Sequence, residues 1–215
     1  MSYSAWMAMD NTVGTQFGTG MPARFIRGLL GVVIALALFN AYGDTSFFFY
    51  FTILSNFMAT VLMIGHAVSP DWMRRNGSWR GAVTLYMTVT GLVFAVLLAP
   101  IEADVGILLP WVNFVLHSVA PAAVLIDWLL FPPARPLPGN VLWAWLIFPA
   151  IYLTVTLVRG PSADFYPYPF LDPRLGGGYG RVAIYTLLVL LVFLGIGTFV
   201  RWWPDRRGNS LPAIG

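Results

Sequence analysis

The sequence predicts an all-α, polytopic membrane protein with six transmembrane helices. Of its 215 residues, 58% are hydrophobic and only 10% are charged, whereas about a quarter of the residues of a soluble domain are charged. Apolar stretches of roughly 20 residues, the length that crosses a ~30 Å hydrocarbon core as a helix, recur along the chain. The 16 Phe, 9 Trp and 9 Tyr suit the aromatic belts found at membrane interfaces.

Six apolar stretches separated by polar or Pro/Gly-rich segments define the predicted helices. They cover residues 25–42, 47–68, 81–100, 107–131, 140–158 and 182–203. We expect residues 1–23 to form an N-terminal tail, because they lack the early basic cluster of a signal peptide. Residues 24–203 then form one transmembrane domain, and residues 204–215 form a C-terminal tail.

The distribution of arginine predicts the orientation. The chain has no lysine, so all 12 basic residues are arginine. If the N-terminus is inside, nine arginines lie on the cytoplasmic side and three on the other side. The nine are Arg24, Arg27, Arg74, Arg75, Arg80, Arg135, Arg201, Arg206 and Arg207, and the three are Arg159, Arg174 and Arg181. The positive-inside rule therefore predicts that both termini are cytoplasmic.

Polar side chains inside the spans are candidate functional residues, because lipid disfavours them. The second span carries Thr52, Ser55 and Asn56, and the fourth carries Asn113 and His117. Both helices are predicted to start on the outer side. The depths of Thr52 and His117 then differ by roughly 7 Å at ~1.5 Å per residue. We therefore expect these two side chains to meet in the outer half of the bilayer.

The neighbours of this pair add amide groups. Asn56 follows Thr52 by four residues and Asn113 precedes His117 by four, so each pair shares a helix face. A hydroxyl near an imidazole, with amides beside it, is the minimum needed for nucleophilic acyl transfer. The same residues are also typical of hydrogen bonds that hold membrane helices together. The residues alone leave both interpretations open.

Two other titratable residues are predicted to lie away from this pair. His66 is ~21 Å along the second helix from Thr52, at the opposite membrane face. Asp127 is ~15 Å along the fourth helix from His117, and we expect it to be a charge at the cytoplasmic interface beside Trp128. Since the chain has no cysteine and only two histidines, no metal site is predicted.

The segment between the fifth and sixth spans is the longest loop, residues 159–180. It contains the aromatic residues Tyr166, Tyr168 and Phe170, interrupted by prolines and followed by Asp172 and three glycines. On the predicted topology it can cover the outer mouth of the Thr52/His117 site and supply Asp172 to orient the imidazole. The alternative is an aromatic anchor at the membrane interface.

Three segments together resemble the androgen-induced protein family, which includes an androgen-dependent regulator of tissue factor pathway inhibitor and bacterial six-span relatives. They are Tyr-Phe-Thr-Ile-Leu-Ser-Asn at 50–56, Trp-Val-Asn-Phe-Val-Leu-His-Ser at 111–118 with Pro121 following, and Tyr-Pro-Phe-Leu-Asp at 168–172. Their order and their placement in the spans match the family, so the resemblance extends from the second span to the end of the chain.

The resemblance implies a membrane hydrolase that cleaves fatty acid esters of hydroxy fatty acids. Thr52 would stand in the place of the nucleophile and His117 in that of the catalytic histidine. The family carries an additional histidine where this chain has Phe114, so any role of that residue is lost here. The bacterial relatives imply the inner membrane of a bacterium as the location.

The leading hypothesis is thus an intramembrane lipid-ester hydrolase that needs no cofactor and binds no nucleic acid. We expect Ser55 or Asn56 to stabilise the oxyanion and Asn113 or Asp172 to orient His117. Tyr166, Tyr168 and Phe170 are expected to contact the lipid ester. The alternative is a non-catalytic lipid-binding protein or a transporter, although the sequence shows no clear internal symmetry.

Overall fold

A computed structural model describes residues 19–43, 45–69, 71, 75–101, 109–133 and 136–208. Within these ranges the chain is helical and has no strand. The six long helices are α1 (Met21–Ala41), α2 (Phe51–Val68), α3 (Gly77–Leu98), α4 (Pro110–Leu130), α5 (Val141–Ala163) and α6 (Gly178–Gly208). All six are long and apolar enough to cross a membrane, which confirms the predicted class and number of helices.

The helix ends differ from the predicted ones where turns and prolines intervene. Residues Thr45–Phe49 form a 3₁₀ turn, so α2 begins at Phe51 and not at residue 47. Pro22 lies in the first turn of α1, where the fixed φ of proline favours helix initiation, and α1 therefore begins inside the predicted tail. Helix α6 likewise continues beyond residue 203. The rest of both predicted tails lies outside the described residues.

Helices α2 and α3 form the centre of the bundle. In their membrane-length windows 50% of the residues are buried, against 17–22% in α1, α5 and α6. The exposed faces of the outer helices carry large apolar side chains such as Phe25, Ile147 and Leu187, the pattern expected where a helix faces lipid. Polar groups on α2 and α3 are therefore screened from lipid by the other helices.

Prolines inside two of the helices lie where those helices contact α3, and the first is Pro149 of α5. Pro149 has no N–H, which leaves the carbonyl of Trp145 without its partner in α5. The hydroxyl of Tyr86 on α3 donates to that carbonyl at 2.8 Å. The proline thus creates an acceptor that joins α3 to α5.

The second proline, Pro121, follows a π-helical turn, Val115–Val119, inside α4. There the N–H of Ala120 donates to the carbonyl of Val115, five residues earlier. Helix α3 packs closely here, because a Cβ added to Gly91 would lie 2.9 Å from Pro121 Cβ and 3.2 Å from the carbonyl oxygen of His117. The turn that contains His117 is therefore held directly against α3.

At the terminal end of the bundle, where α1 begins and α6 ends, one carboxylate joins three helices and lies near a fourth. Asp127 of α4 accepts from Arg27 Nε of α1 at 2.6 Å and from an Arg80 amino group of α3 at 3.4 Å. His66 Nδ1 of α2 lies 3.8 Å from the same carboxylate. Asp127 is thus the centre of an ion cluster with two buried arginines, near the end of α4 where the sequence predicted an interfacial charge.

Candidate functional site

Thr52 lies in the first turn of α2, at the distal end of the bundle (opposite the terminal end). Its backbone N–H donates to the hydroxyl oxygen of Tyr168 at 3.1 Å, and the hydroxyl oxygens of the two residues are 3.2 Å apart. The first N–H groups of a helix have no acceptor within the helix, so the phenol of Tyr168 caps α2. This contact places the Thr52 hydroxyl beside a second hydroxyl at the positive end of a helix dipole.

Aromatic packing holds Tyr168 in this position. Its ring stacks on Phe170 with a centroid distance of 5.3 Å and an interplanar angle of 2°, and meets Tyr50 edge to face at 5.9 Å. Burial raises the pKa of the Tyr168 hydroxyl. The group therefore stays protonated near neutral pH and keeps its own hydrogen for donation.

Asp172 forms a salt bridge with Arg174 within the loop that carries Tyr168. Arg174 Nε donates to one of its carboxylate oxygens at 2.8 Å and an Arg174 amino group donates to the other at 2.7 Å. These hydrogen bonds hold the pKa of the Asp172 carboxyl below its usual value. The predicted contact between Asp172 and His117 is not formed: Asp172 pairs with an arginine two residues along the chain, and His117 pairs with Asn113.

Asn56 connects α2 to α4. Its amide nitrogen donates to the carbonyl of Thr52 at 2.9 Å and to that of Leu116 at 3.0 Å. Both amide hydrogens are then in use, so Asn56 is not free to donate to an oxyanion as predicted. Ser55 is fully buried, and within the part of the chain that the structure describes its hydroxyl oxygen has no hydrogen-bond partner.

His117 lies within the π-helical turn of α4. Its Nδ1 is 3.1 Å from the carbonyl oxygen of Asn113, and its ring stacks on Phe94 at a centroid distance of 4.0 Å. A carbonyl oxygen only accepts, so Nδ1 carries the hydrogen and Nε2 carries the lone pair. Asn113 thus fixes the tautomer through its main chain, and the nitrogen left unprotonated has the character of a base.

The structure brings the helices of the predicted pair together but does not join the pair by a hydrogen bond. Asn56 connects the turn of Thr52 to Leu116, the residue before His117. However, the hydroxyl of Thr52 is hydrogen-bonded to the hydroxyl of Tyr168, and the imidazole of His117 is hydrogen-bonded to the carbonyl of Asn113. The hydroxyl of Thr52 is therefore paired with a tyrosine that the sequence analysis expected to contact the substrate.

A cavity of about 280 Å³ opens beside Thr52, close to the lower end of the ~300–1,000 Å³ typical of ligand sites. Its wall is almost entirely hydrocarbon from α3, α5 and α6. Ala150 of α5 and Leu190 of α6 line it and are themselves exposed on the outer surface of the bundle, so the cavity borders the lipid between these helices. Its polar or aromatic lining includes Thr52, Thr90, Tyr152, Tyr168, Phe170 and Thr186.

Six of the nine predicted site residues are not on this wall, namely Ser55, Asn56, Asn113, His117, Tyr166 and Asp172. Tyr166 instead packs its ring against Gly160, where an added Cβ would collide with the ring, and lies under the guanidinium of Arg174 at 5.2 Å. Of the three aromatics predicted to contact substrate, Tyr168 and Phe170 line the cavity, and Tyr166 supports the loop.

Among the described residues, no three His, Cys, Asp or Glu side chains lie together as a group that could hold a metal ion. Comparisons with family models, with curated proteins and with solved structures give no match to this chain. We therefore infer the function from the geometry of the site and from the segments at 50–56, 111–118 and 168–172.

Replacing Tyr168 by Phe is expected to lower the free energy of unfolding by about 1–3 kcal/mol. The ring and its stacking on Phe170 remain, but the buried N–H of Thr52 loses its acceptor. Denaturant titration in detergent measures the effect. Tyr42→Phe is the control, because Tyr42 is 56% exposed. Equal stabilities of the two variants would show that the Tyr168 hydroxyl does not cap α2.

Proposed function

We propose that this chain is an intramembrane lipid-ester hydrolase in which Thr52 is the nucleophile and His117 the base. The observation that carries the proposal is the position of the Thr52 hydroxyl. It lies at a helix N-terminus, on the wall of an apolar cavity that borders lipid. The resemblance to the androgen-induced family supplies the substrate class, fatty acid esters of hydroxy fatty acids or related lipid esters.

The electrostatics at the start of α2 suit ester cleavage. The tetrahedral intermediate carries a negative oxygen, and a helix N-terminus stabilises negative charge. The protonated hydroxyl of Tyr168, 3.2 Å from Thr52 Oγ1, is the nearest side-chain donor. Tyr168 thus replaces Ser55 and Asn56, the two alternatives from the sequence, in our assignment of the oxyanion donor.

The proposed reaction has two halves. Thr52 Oγ1 attacks the ester carbonyl while its proton passes to Nε2 of His117. The intermediate then expels the alkoxide, which takes that proton and leaves as the hydroxy acid. Water next attacks the acyl-threonine and gives a proton to His117. Release of the fatty acid restores the Thr52 hydroxyl when the histidine returns the proton.

The proposal requires Nε2 of His117 to approach Thr52 when the ester is bound. Hydrogen bonds between catalytic residues are often long in unliganded enzymes and tighten in the substrate complex. The hydrogen bonds of Asn56 keep the helical turns that carry Thr52 and His117 adjacent. Nδ1 of His117 can keep its hydrogen bond to the Asn113 carbonyl during the approach. The test is ester hydrolysis by the purified wild type, Thr52→Ala and His117→Ala.

A non-catalytic lipid-binding protein or transporter is the second candidate. Two observations favour it. Thr52 and His117 are hydrogen-bonded to Tyr168 and Asn113 and not to each other, and His117 does not line the cavity. A binder would retain its lipid after Thr52→Ala. The hydrolase would lose turnover in Thr52→Ala but keep part of it in Thr52→Ser, because only the serine retains a nucleophile.

We further propose that the chain lies in a bacterial inner membrane with both termini in the cytoplasm, as the arginine count indicates. Because the chain has no cysteine, single cysteines report their side without a background. Gly43→Cys, at the distal end, should react with a membrane-impermeant maleimide in intact spheroplasts. Ser69→Cys, at the terminal end, should react only after lysis. The reverse pattern would invert the topology and move the site to the inner leaflet.

A further inference from the structure

The apolar cavity contains two hydroxyls that have no hydrogen-bond partner among the described residues. Thr90 of α3 and Thr186 of α6 both line it, and the hydroxyl oxygen of each is buried without a partner. Thr90 is only 5% exposed, so its hydroxyl is shielded from water. A buried hydroxyl left unsatisfied is unfavourable, because it has lost its hydrogen bonds to water and gained none in the protein. Such a group calls for an explanation.

Other threonines in the same bundle satisfy their hydroxyls in the usual way for a membrane helix. Their hydroxyls donate to the carbonyl four residues earlier, which satisfies the group within its own helix. The threonines that do so are Thr60, Thr84, Thr88 and Thr154. Thr90 and Thr186 depart from this pattern, and both lie on the wall of the cavity. The coincidence of the two properties points to a ligand.

The chemistry of the wall defines what that ligand must carry. Around the two threonines the lining is hydrocarbon, including Val89, Val93 and Phe193. A saturated chain fills such a space but leaves both hydroxyls unsatisfied. An oxygen atom on the chain can bond to either threonine, because rotation about χ1 exchanges the hydroxyl and methyl positions.

We propose that Thr90 and Thr186 determine specificity by binding an oxygen substituent carried along a fatty acyl chain. The group is a hydroxyl, keto or ester oxygen some distance from the carbon that Thr52 attacks. The inference rests on the proposed function in that the occupant is a lipid chain. It does not depend on catalysis, since a chain can be bound without being cleaved.

A comparison of stearate binding with hydroxystearate binding tests the assignment. Stearate and a panel of hydroxystearates with the hydroxyl near mid-chain are titrated against purified wild-type protein, with displacement of a fluorescent fatty acid as the readout. One gained hydrogen bond, worth about 0.5–1.5 kcal/mol, should favour the best hydroxystearate by roughly 2- to 10-fold. Neither probe is an ester, so turnover does not interfere.

The double variant Thr90→Val/Thr186→Val removes the hydroxyls and keeps the side-chain shape. We expect it to bind stearate like the wild type and to lose the preference for hydroxystearate. Thr84→Val/Thr154→Val is the control, because those hydroxyls are satisfied within their helices and do not line the cavity. It should keep the preference.

Equal binding of the two acids by the wild type would overturn the inference. An undiminished preference in the double variant would also overturn it. Loss of the preference in both double variants would attribute the effect to the fold and would equally contradict the assignment. If the wild type hydrolyses no ester but Thr90 and Thr186 still control the preference, the proposed catalysis fails and this inference stands.

Discussion

Thr52→Ala and His117→Ala are each expected to lower hydrolysis of a fatty acid ester of a hydroxy fatty acid by at least about 10³-fold. The first variant removes the atom that attacks the carbonyl, and the second removes the group that takes its proton. Thr52→Ser should retain measurable turnover, because a hydroxyl remains at the same position. Initial rates in detergent with the purified proteins measure these effects.

Thr88→Ala is the matched control for the threonine variants. The Thr88 hydroxyl donates to the carbonyl of Thr84 within α3, and Thr88 does not line the cavity. Its activity should equal that of the wild type. Equal rates for wild type, Thr52→Ala and His117→Ala would refute the Thr–His assignment. Absence of hydrolysis by the wild type over a panel of esters would favour the lipid-binding candidate.

The second large effect is on stability. Asp127→Asn is expected to lower the free energy of unfolding by about 3–5 kcal/mol, because it leaves buried arginines without their carboxylate. The side chains of Arg27 and Arg80 are only 6% and 4% exposed. The neutral amide removes the opposing charge but keeps the volume. Denaturant titration in mixed micelles gives the difference.

Asp164→Asn provides the contrast for this variant. Asp164 also pairs with an arginine, Arg174, but its side chain is 90% exposed. Water and salt screen such a pair, so removing its charge should change stability little. If the two asparagine variants unfolded at the same denaturant concentration, the Asp127 ion pairs would not hold α1, α3 and α4 together.

The membrane fold was predictable from sequence because lipid imposes one simple requirement. Each span must supply about 20 apolar residues, and the six helices satisfy it in nearly the predicted places. Their ends were less predictable. The start of α2 depends on whether residues 45–49 continue the helix or form a 3₁₀ turn, and apolar content is similar in both conformations.

The partners of polar side chains were harder to predict. The sequence placed Thr52 near the loop of Tyr168 and Phe170 because both lie at the same end of the bundle, and Tyr168 does contact Thr52. It gave Asp172 as an alternative to Asn113 for orienting His117 and overlooked Arg174, although an arginine two residues away needs no tertiary folding to pair. Local partners of this kind deserve first consideration in a loop.

The ion cluster and the cavity threonines were missed for different reasons. Each residue of the ion cluster lies near the predicted cytoplasmic end of its span, so their shared depth was a usable signal. The four are Arg27, His66, Arg80 and Asp127. Thr90 and Thr186 gave no such signal. Whether a membrane threonine bonds to its own helix depends on its rotamer and neighbours, and the sequence specifies neither.

Covalent labelling of the nucleophile tests the central claim most directly. A long-chain fluorophosphonate is incubated with the wild type, Thr52→Ala and Thr88→Ala, and the modified peptide is located by mass spectrometry. Our account predicts a phosphonyl adduct on Thr52 in the wild type and in Thr88→Ala, and none in Thr52→Ala. An adduct on another residue, or none on a wild-type protein that hydrolyses the ester, would contradict it.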